Sequence, residues 1–360
     1  FGWKGPGGFL FPATPWGETR SKPLKKIGSV LLCVALVLGV LGGCAPQEEE
    51  SSLVSVSPSP SPTPEPAGPW RIGLVQYQEH SALDAIRESF MQRLEEWGCT
   101  EEQVEIQYQN AQGDPAQAGE ICQGFVEDEV DMIVALATPA AQAALSAVAG
   151  TQIQVVFAGV TDAEPLGLTE GAAPESAVTG VVSPAPAGSL LDLALQADSG
   201  LQTLGVLYNP EEANALAQVE ALQAACAERG ITVTESTVSS SEEVQQAAGE
   251  LCAAVDALYT PVAPAAAAVS EAAKGAGTPW YAGSESMVQA GALAAVGVEE
   301  KETGRKAADL AAQLIRGQAV SQAPVYTFST FRTFLNVTTL QALEGISLPQ
   351  ETQLNAFIYS

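Results

Sequence analysis

A single histidine, His80, stands in the 360-residue chain. That leaves little material for a catalytic Cys–His pair or a histidine-based metal site. Basic side chains are also scarce, 15 Lys and Arg against 42 Asp and Glu. Five of the 15 (Lys4, Arg20, Lys22, Lys25, Lys26) precede residue 27, so from Cys44 onward 10 basic residues face 41 acidic ones. Such a balance argues against nucleic acid as a partner, and against an anionic membrane bound through a basic surface. Six cysteines are present but no CxxC pair, which excludes a zinc ribbon and gives no disulfide framework. There is no G-x-S-x-G, no phosphate-binding glycine loop and no metal cluster. An enzyme is therefore not expected, nor a cofactor, nor a metal.

What is present begins with a short basic stretch, Lys22–Lys26, followed by an apolar run, Ile27–Val40. The run is short for a transmembrane helix. It ends in Leu41-Gly42-Gly43-Cys44, the small-residue-then-cysteine order of a bacterial lipobox. That resemblance implies removal of residues 1–43 and a diacylglycerol on the Cys44 thiol, hence a membrane contact through lipid at the outer face of the cytoplasmic membrane. An ordinary signal peptide with a chance cysteine is the alternative. Residues 44–69 are rich in Ser-Pro and Thr-Pro, which favour an extended, semi-rigid spacer.

From Trp70 the pattern changes to alternating strands and amphipathic helices. Strands are predicted at 71–77, 104–110, 131–137 and 153–160, with helices at about 81–97, 115–127 and 140–148 between them. This order predicts an α/β fold with a parallel sheet covered on both faces. In DMIVALATPAAQ (131–142) a buried strand runs straight into a helix, with Thr138 as N-cap and Pro139 at the first helical position. Such a turn is either a plain connector or an anion site built from free backbone N–H groups.

The same programme then restarts. LGVLYNPEEANALAQVEALQAACAERG (204–230) echoes IGLVQYQEHSALDAIRESFMQRLEEWG (72–98), and VDALYTPVAPAAAA (255–268) echoes VDMIVALATPAAQAAL (130–145). Cys252 answers Cys122 at equivalent helix positions, which argues against a disulfide between them. Two Rossmann-like lobes facing each other across a cleft, joined by a hinge, are the expected architecture. Lobe 1 is expected at 70–180 plus about 300–323, and lobe 2 at 181–299 plus about 324–360.

WRIGLVQYQEHSALD, YQNAQGD, VVFAGVTD, LGVLYNPEEAN, GALAAVGV and FLNVTTLQALEGISLP, with the two stretches above, resemble the ABC-transporter substrate-binding lipoproteins of the tryptophan/tyrosine-type group. The resemblance spans about Trp70–Pro349. It implies the type I periplasmic-binding fold and a non-enzymatic, monomeric receptor. That receptor would capture a small ligand, an aromatic or other amino acid, and deliver it to an ABC permease. Carried over by motif, Tyr77, Gln78 and His80 would shape the lobe 1 wall. Thr138, Pro139 and Ala140 would meet the ligand carboxylate. Thr161 and Asp162 follow the fourth strand, where a helix cap is an equal reading. Asn209, Glu212 and Asn214 would open the first helix of lobe 2, or simply cap it.

The sequence departs from that family in places. Pro261-Val262-Ala263 stands where Thr-Asp-Asn is usual, and Glu299-Glu300 where an Asp-Tyr pair is usual. An α-ammonium group needs a carboxylate partner in a desolvated cleft. With Val262 at the usual Asp, that partner falls to Asp162, Glu212, Glu285 or Glu299. A ligand-sensing lipoprotein that signals to a partner protein is the competing function.

Overall fold

The computed structural model describes residues 68–168, 177–240, 242–262 and 265–360. Cys44, the expected signal segment and nearly all of the Pro/Ser-rich spacer lie outside the described residues. No helix among the described residues is long and apolar enough to cross a membrane.

The first half alternates strand and helix: β1 (Trp70–Gln76), α1 (Ser81–Glu96), β2 (Val104–Asn110), α2 (Pro115–Glu127), β3 (Met132–Leu136), α3 (Thr138–Ala147), β4 (Gln154–Val160) and β5 (Val178–Val182). The second half repeats the order: α4 (Ala187–Ala197), β6 (Thr203–Tyr208), α5 (Ala213–Arg229), β7 (Thr232–Thr237), α6 (Val244–Cys252), β8 (Ala257–Thr260), α7 (Ala266–Ala276), β9 (Trp280–Ala282), α8 (Glu285–Gln289) and β10 (Ala294–Gly297). The chain closes with α9 (Glu300–Ile315), β11 (Tyr326–Thr327), β12 (Arg332–Asn336), α10 (Val337–Ala342), α11 (Gln350–Leu354) and β13 (Phe357–Tyr359).

Two sheets result. One runs β11-β5-β4-β3-β1-β2, the other β13-β12-β10-β9-β8-β6-β7. Within them β5-β4-β3-β1-β2 and β10-β9-β8-β6-β7 have the same order, so the sequence repeat is a repeat of topology. Equivalent glycines show why. A Cβ on Gly73 in β1 would lie 2.4 Å from the Phe125 ring of α2, and one on Gly205 in β6 would lie 2.7 Å from Leu251 of α6. In each lobe the strand gives up its side chain so that the second helix packs flat on it. Cys122 and Cys252 are buried and free, as are Cys99 and Cys226.

The first sheet is parallel throughout, whereas β12 runs antiparallel to β10 and carries β13 parallel to itself. Both sheets are thus parallel in the main, as expected, with β12 the antiparallel addition. α9 follows the second-lobe strands in sequence but completes the first lobe's core through Ala307, Ala308, Leu310 and Ala311. The chain crosses between sheets three times, at 183–186, 298–299 and 328–331. The last crossing follows β11, which pairs with β5, so residues 324–327 sit with the first sheet rather than the second. The first crossing is tied to the first turn of α9, Ser183 Oγ lying 2.9 Å from Thr303 Oγ1.

Candidate functional site

The carboxyl ends of both sheets face a cavity of about 130 Å³. Five helix N-termini meet there. His80 and Ala82 come from α1, Ala137 and Pro139 from α3, Glu212 and Asn214 from α5, Ser284 and Glu285 from α8, and Glu300 from α9. Each brings partial positive charge, and those of α3 and α5 carry no side-chain cap. No Lys or Arg is among the described residues that line it, whereas three carboxylates are: Glu212, Glu285 and Glu300.

The α3 turn differs from the expectation. Thr138 is not the N-cap but the first helical residue, and Pro139 is the second. Ala137 takes the cap position with φ 84° and ψ 156°, a region that only glycine enters freely. No side chain caps this helix. Ala137 O accepts from Ala141 N at 3.0 Å. The N–H groups of Thr138 and Ala140, in the first turn, have no acceptor within the helix. The Thr138 hydroxyl is buried without a partner, and Thr138 and Ala140 side chains stay out of the cavity wall. What this turn offers is therefore backbone, held in a strained conformation.

Opposite it, Glu212 is the N-cap of α5, yet its carboxylate caps nothing. It has no hydrogen-bond donor or cation among the described residues, and burial pushes its pKa up. His80 caps α1, its Nδ1 accepting from Ala82 N at 3.2 Å, which leaves the proton on Nε2. Burial lowers its pKa against the pull of Asp84, so the ring is neutral near pH 7. Tyr77 lines the cavity with its ring while its hydroxyl donates to Gly113 O at 2.7 Å.

Glu285 and Glu300 form a reciprocal cap. Glu285 Oε2 accepts from Glu300 N at 3.2 Å, and Glu300 Oε1 accepts from Ser286 N at 3.0 Å. Glu285 also accepts from the Tyr359 hydroxyl of β13. Burial raises Glu300 to about 7, the Ser286 N–H and the nearby Ser286 and Ser284 hydroxyls partly offsetting it.

The other expected residues divide. Tyr77, Gln78 and Glu212 also line an adjoining cavity of about 310 Å³, which takes in Asn209 as well. There Asn209 Oδ1 accepts from Glu211 N at 3.0 Å. Thr161 lines the central cavity, but Asp162 lines only an adjoining hollow, which Thr161 and Pro184 share, and accepts from Glu164 N at 2.9 Å. Glu299 lines neither cavity and faces Arg332 at 4.0 Å. Trp280 and Tyr281 are buried in the second lobe, the indole donating to Thr260 Oγ1 at 2.8 Å.

Sequence reasoning missed Glu300, Gln218, Ser284, Met287 and Phe334 as cavity residues. For Glu300 a signal exists. It is in helical phase with Thr303, Gly304, Ala307, Ala308 and Ala311, all buried, whereas Glu299 precedes the helix.

Known proteins resemble this chain in sequence and fold. A relative from Clostridioides difficile named tyrosine-binding protein is 31% identical over 326 residues, 89% of this chain and 92% of that protein. A Streptococcus pneumoniae structure described as an ABC domain in complex with L-Trp matches with a TM-score of 0.75 at 28% identity, covering 81% of this chain and all of that one. A ligand-free, open substrate-binding protein with adhesive properties from Clostridium difficile matches at 0.62 and 32% identity, covering 80% and 98%. The sequence pattern of the family described as ABC transporter substrate binding protein matches residues 71–357. By that match and that identity, the chain belongs to the ABC transporter substrate-binding protein family, whose members bind a solute rather than transform it.

Proposed function

We propose that the protein captures an amino acid, aromatic in its side chain, between its two lobes and delivers it to an ABC permease. A lipid on Cys44 would tether it outside the cytoplasmic membrane. The observation that carries the ligand class is the pairing of opposite grips across one cavity. On one side is an uncapped, strained helix N-terminus suited to a carboxylate. On the other is the half-buried, unpartnered carboxylate of Glu212, suited to an ammonium group. A zwitterion satisfies both at once, whereas a sugar or nucleoside leaves Glu212 unpaired. Tyr77, His80, Leu83, Ile86, Met287 and Phe334 supply an apolar and aromatic wall for a ring. The L-Trp complex and the tyrosine-binding relative support this class.

The global match supports a closed, binding-competent arrangement. The chain fits the L-Trp complex better than the ligand-free open relative, although the open relative is the more similar in sequence.

Thermal shift across a panel of amino acids, sugars and nucleosides tests the proposal. A ligand at 100 times its Kd adds about 2.7 kcal/mol of stability. Tyrosine and tryptophan are expected to raise Tm. A shift confined to sugars or nucleosides defeats the reading.

A further inference from the structure

We infer that Glu300 reads the tip of the ligand's side chain, favouring an aromatic amino acid whose ring carries an O–H or N–H donor over one whose ring carries none. The inference rests on the amino-acid reading above and narrows it.

Three observations lead there. First, Glu300 lines the cavity, and only one of its oxygens is committed to the protein. Oε1 takes the Ser286 N–H at 3.0 Å. Among the described residues Oε2 has no donor at hydrogen-bond geometry; the Ser284 and Ser286 hydroxyls stand beside the carboxyl, 3.1 Å from each other.

Second, its surroundings in the cavity are apolar. α9 runs alongside α1 in the same direction: Gly304 abuts Ile86 and Ser89, and Asp309 meets Arg93 and Trp97. One turn before Gly304, Glu300 therefore falls beside Leu83 and Ile86, which line the same cavity. Met287 adjoins through Ser286, and Val298 lies two residues upstream. This is the setting for a ring whose edge or substituent ends at an acceptor.

Third, the site disfavours a second cation. Glu300 is the first residue of α9, at the positive end of that helix, and its carboxyl reaches the first turn of α8. Its pKa, raised to about 7, means that the group is already part neutral. A neutral donor pairs with it, whereas a Lys or Arg side chain would enter apolar surroundings beside two helix N-termini. The family resemblance places tyrosine where this chain has Glu300, so the feature belongs to this chain.

A buried acceptor left without its donor discriminates strongly between ligands. Isothermal titration of the purified protein with L-tyrosine, L-tryptophan, L-phenylalanine and L-lysine provides the test. Tyrosine and tryptophan are expected to bind about 10- to 100-fold more tightly than phenylalanine. In Glu300→Gln the side-chain oxygen still accepts from Ser286 N, so that the amide NH2 faces the ligand's donor. The preference should then fall to about 3-fold or less, with phenylalanine affinity nearly unchanged. Equal affinity for tyrosine and phenylalanine in the unaltered protein overturns the inference without needing the variant. A preference that survives in Glu300→Gln, or lysine as the tightest ligand, overturns it too. Binding of a sugar or nucleoside with none of the four amino acids defeats the amino-acid reading itself, an outcome distinct from the others.

Discussion

Replacing Gly304 by alanine sets two physical effects against each other. Gly304 is a helical glycine in α9, and alanine there gains about 1 kcal/mol in helix propensity. Its Cβ, however, would lie 2.2 Å from Ile86 O and 2.2 Å from Ser89 Oγ of α1. Ser89 Oγ is itself held by Ala85 O at 2.7 Å and Ile86 O at 3.0 Å, and Ile86 O is backbone. The two helices must therefore separate by roughly 1 Å, at a cost typical of overpacking, about 1–3 kcal/mol. Packing offsets propensity, and the net is destabilising by up to about 2 kcal/mol. The control is Gly249→Ala in α6, where nothing lies within 4 Å of the added carbon. There propensity acts alone and stability should rise by about 1 kcal/mol. Urea unfolding followed by far-UV circular dichroism measures both. The midpoint should fall for Gly304→Ala and rise for Gly249→Ala, with m unchanged. If Gly304→Ala raises the midpoint as the control does, the close contact of α1 and α9 is wrong, and with it the placement of Glu300 beside Leu83.

Other expectations concern charge, strain and thiols. Glu300 has a folded pKa of about 7, above the 4.5 of the free carboxyl, so the folded state holds this proton more tightly. Its contribution is thus full below about pH 4.5 and is lost as pH rises to 7, by at most about 3 kcal/mol. Glu300→Gln should remove that slope from a series of urea midpoints, and an unchanged slope defeats the assignment. The depressed His80 works the other way, its stabilisation being lost as pH falls through its folded pKa. Glu212→Gln should weaken amino-acid binding about 10- to 100-fold by titration while leaving stability nearly unchanged; equal affinity excludes Glu212 as the ammonium partner. Ala137→Gly should raise Tm by relieving a positive φ of 84°, and a fall in Tm refutes the strain. Peptides containing Cys99, Cys122, Cys226 and Cys252 should stay unalkylated until denaturant is added, Cys122 being pushed up to about 12 by burial.

Much of the architecture was legible because each lobe alternates a period of 2 with a period of 3.6. The edges of β2 and α2 fall where Val104–Asn110 and Pro115–Glu127 place them. Cavity-lining positions at strand ends were legible for the same reason, since Tyr77, His80, Thr161, Glu212 and Glu285 each follow a strand by a few residues. The α3 turn was not. A Thr-Pro pair reads as a cap, but Ala137 keeps its bond to Ala158 O in the neighbouring strand at 2.9 Å and turns into the helix one residue early. Glu299 and Glu300 are indistinguishable by type, and only the helical phase of α9 sends one into the cavity and the other toward Arg332. The closing segment was not legible either. β11 is two residues long, and its sheet is decided by pairing with β5, more than 140 residues upstream.

The late arrival of α9 bears on how the protein is made. Lobe 1 has all but one of its strands once Val182 is synthesised, yet its core also requires Ala307, Ala308, Leu310 and Leu314. At about 5–20 residues per second, roughly 7–26 s separate those events on the ribosome. During that interval the α1 face bearing Leu83, Ile86 and Phe90 has no α9 to cover it, while the strands β6 to β10 emerge and can pair among themselves. The strands β6 to β10 can thus pair before the first lobe closes, and the second lobe in turn is complete only when β12 and β13 arrive.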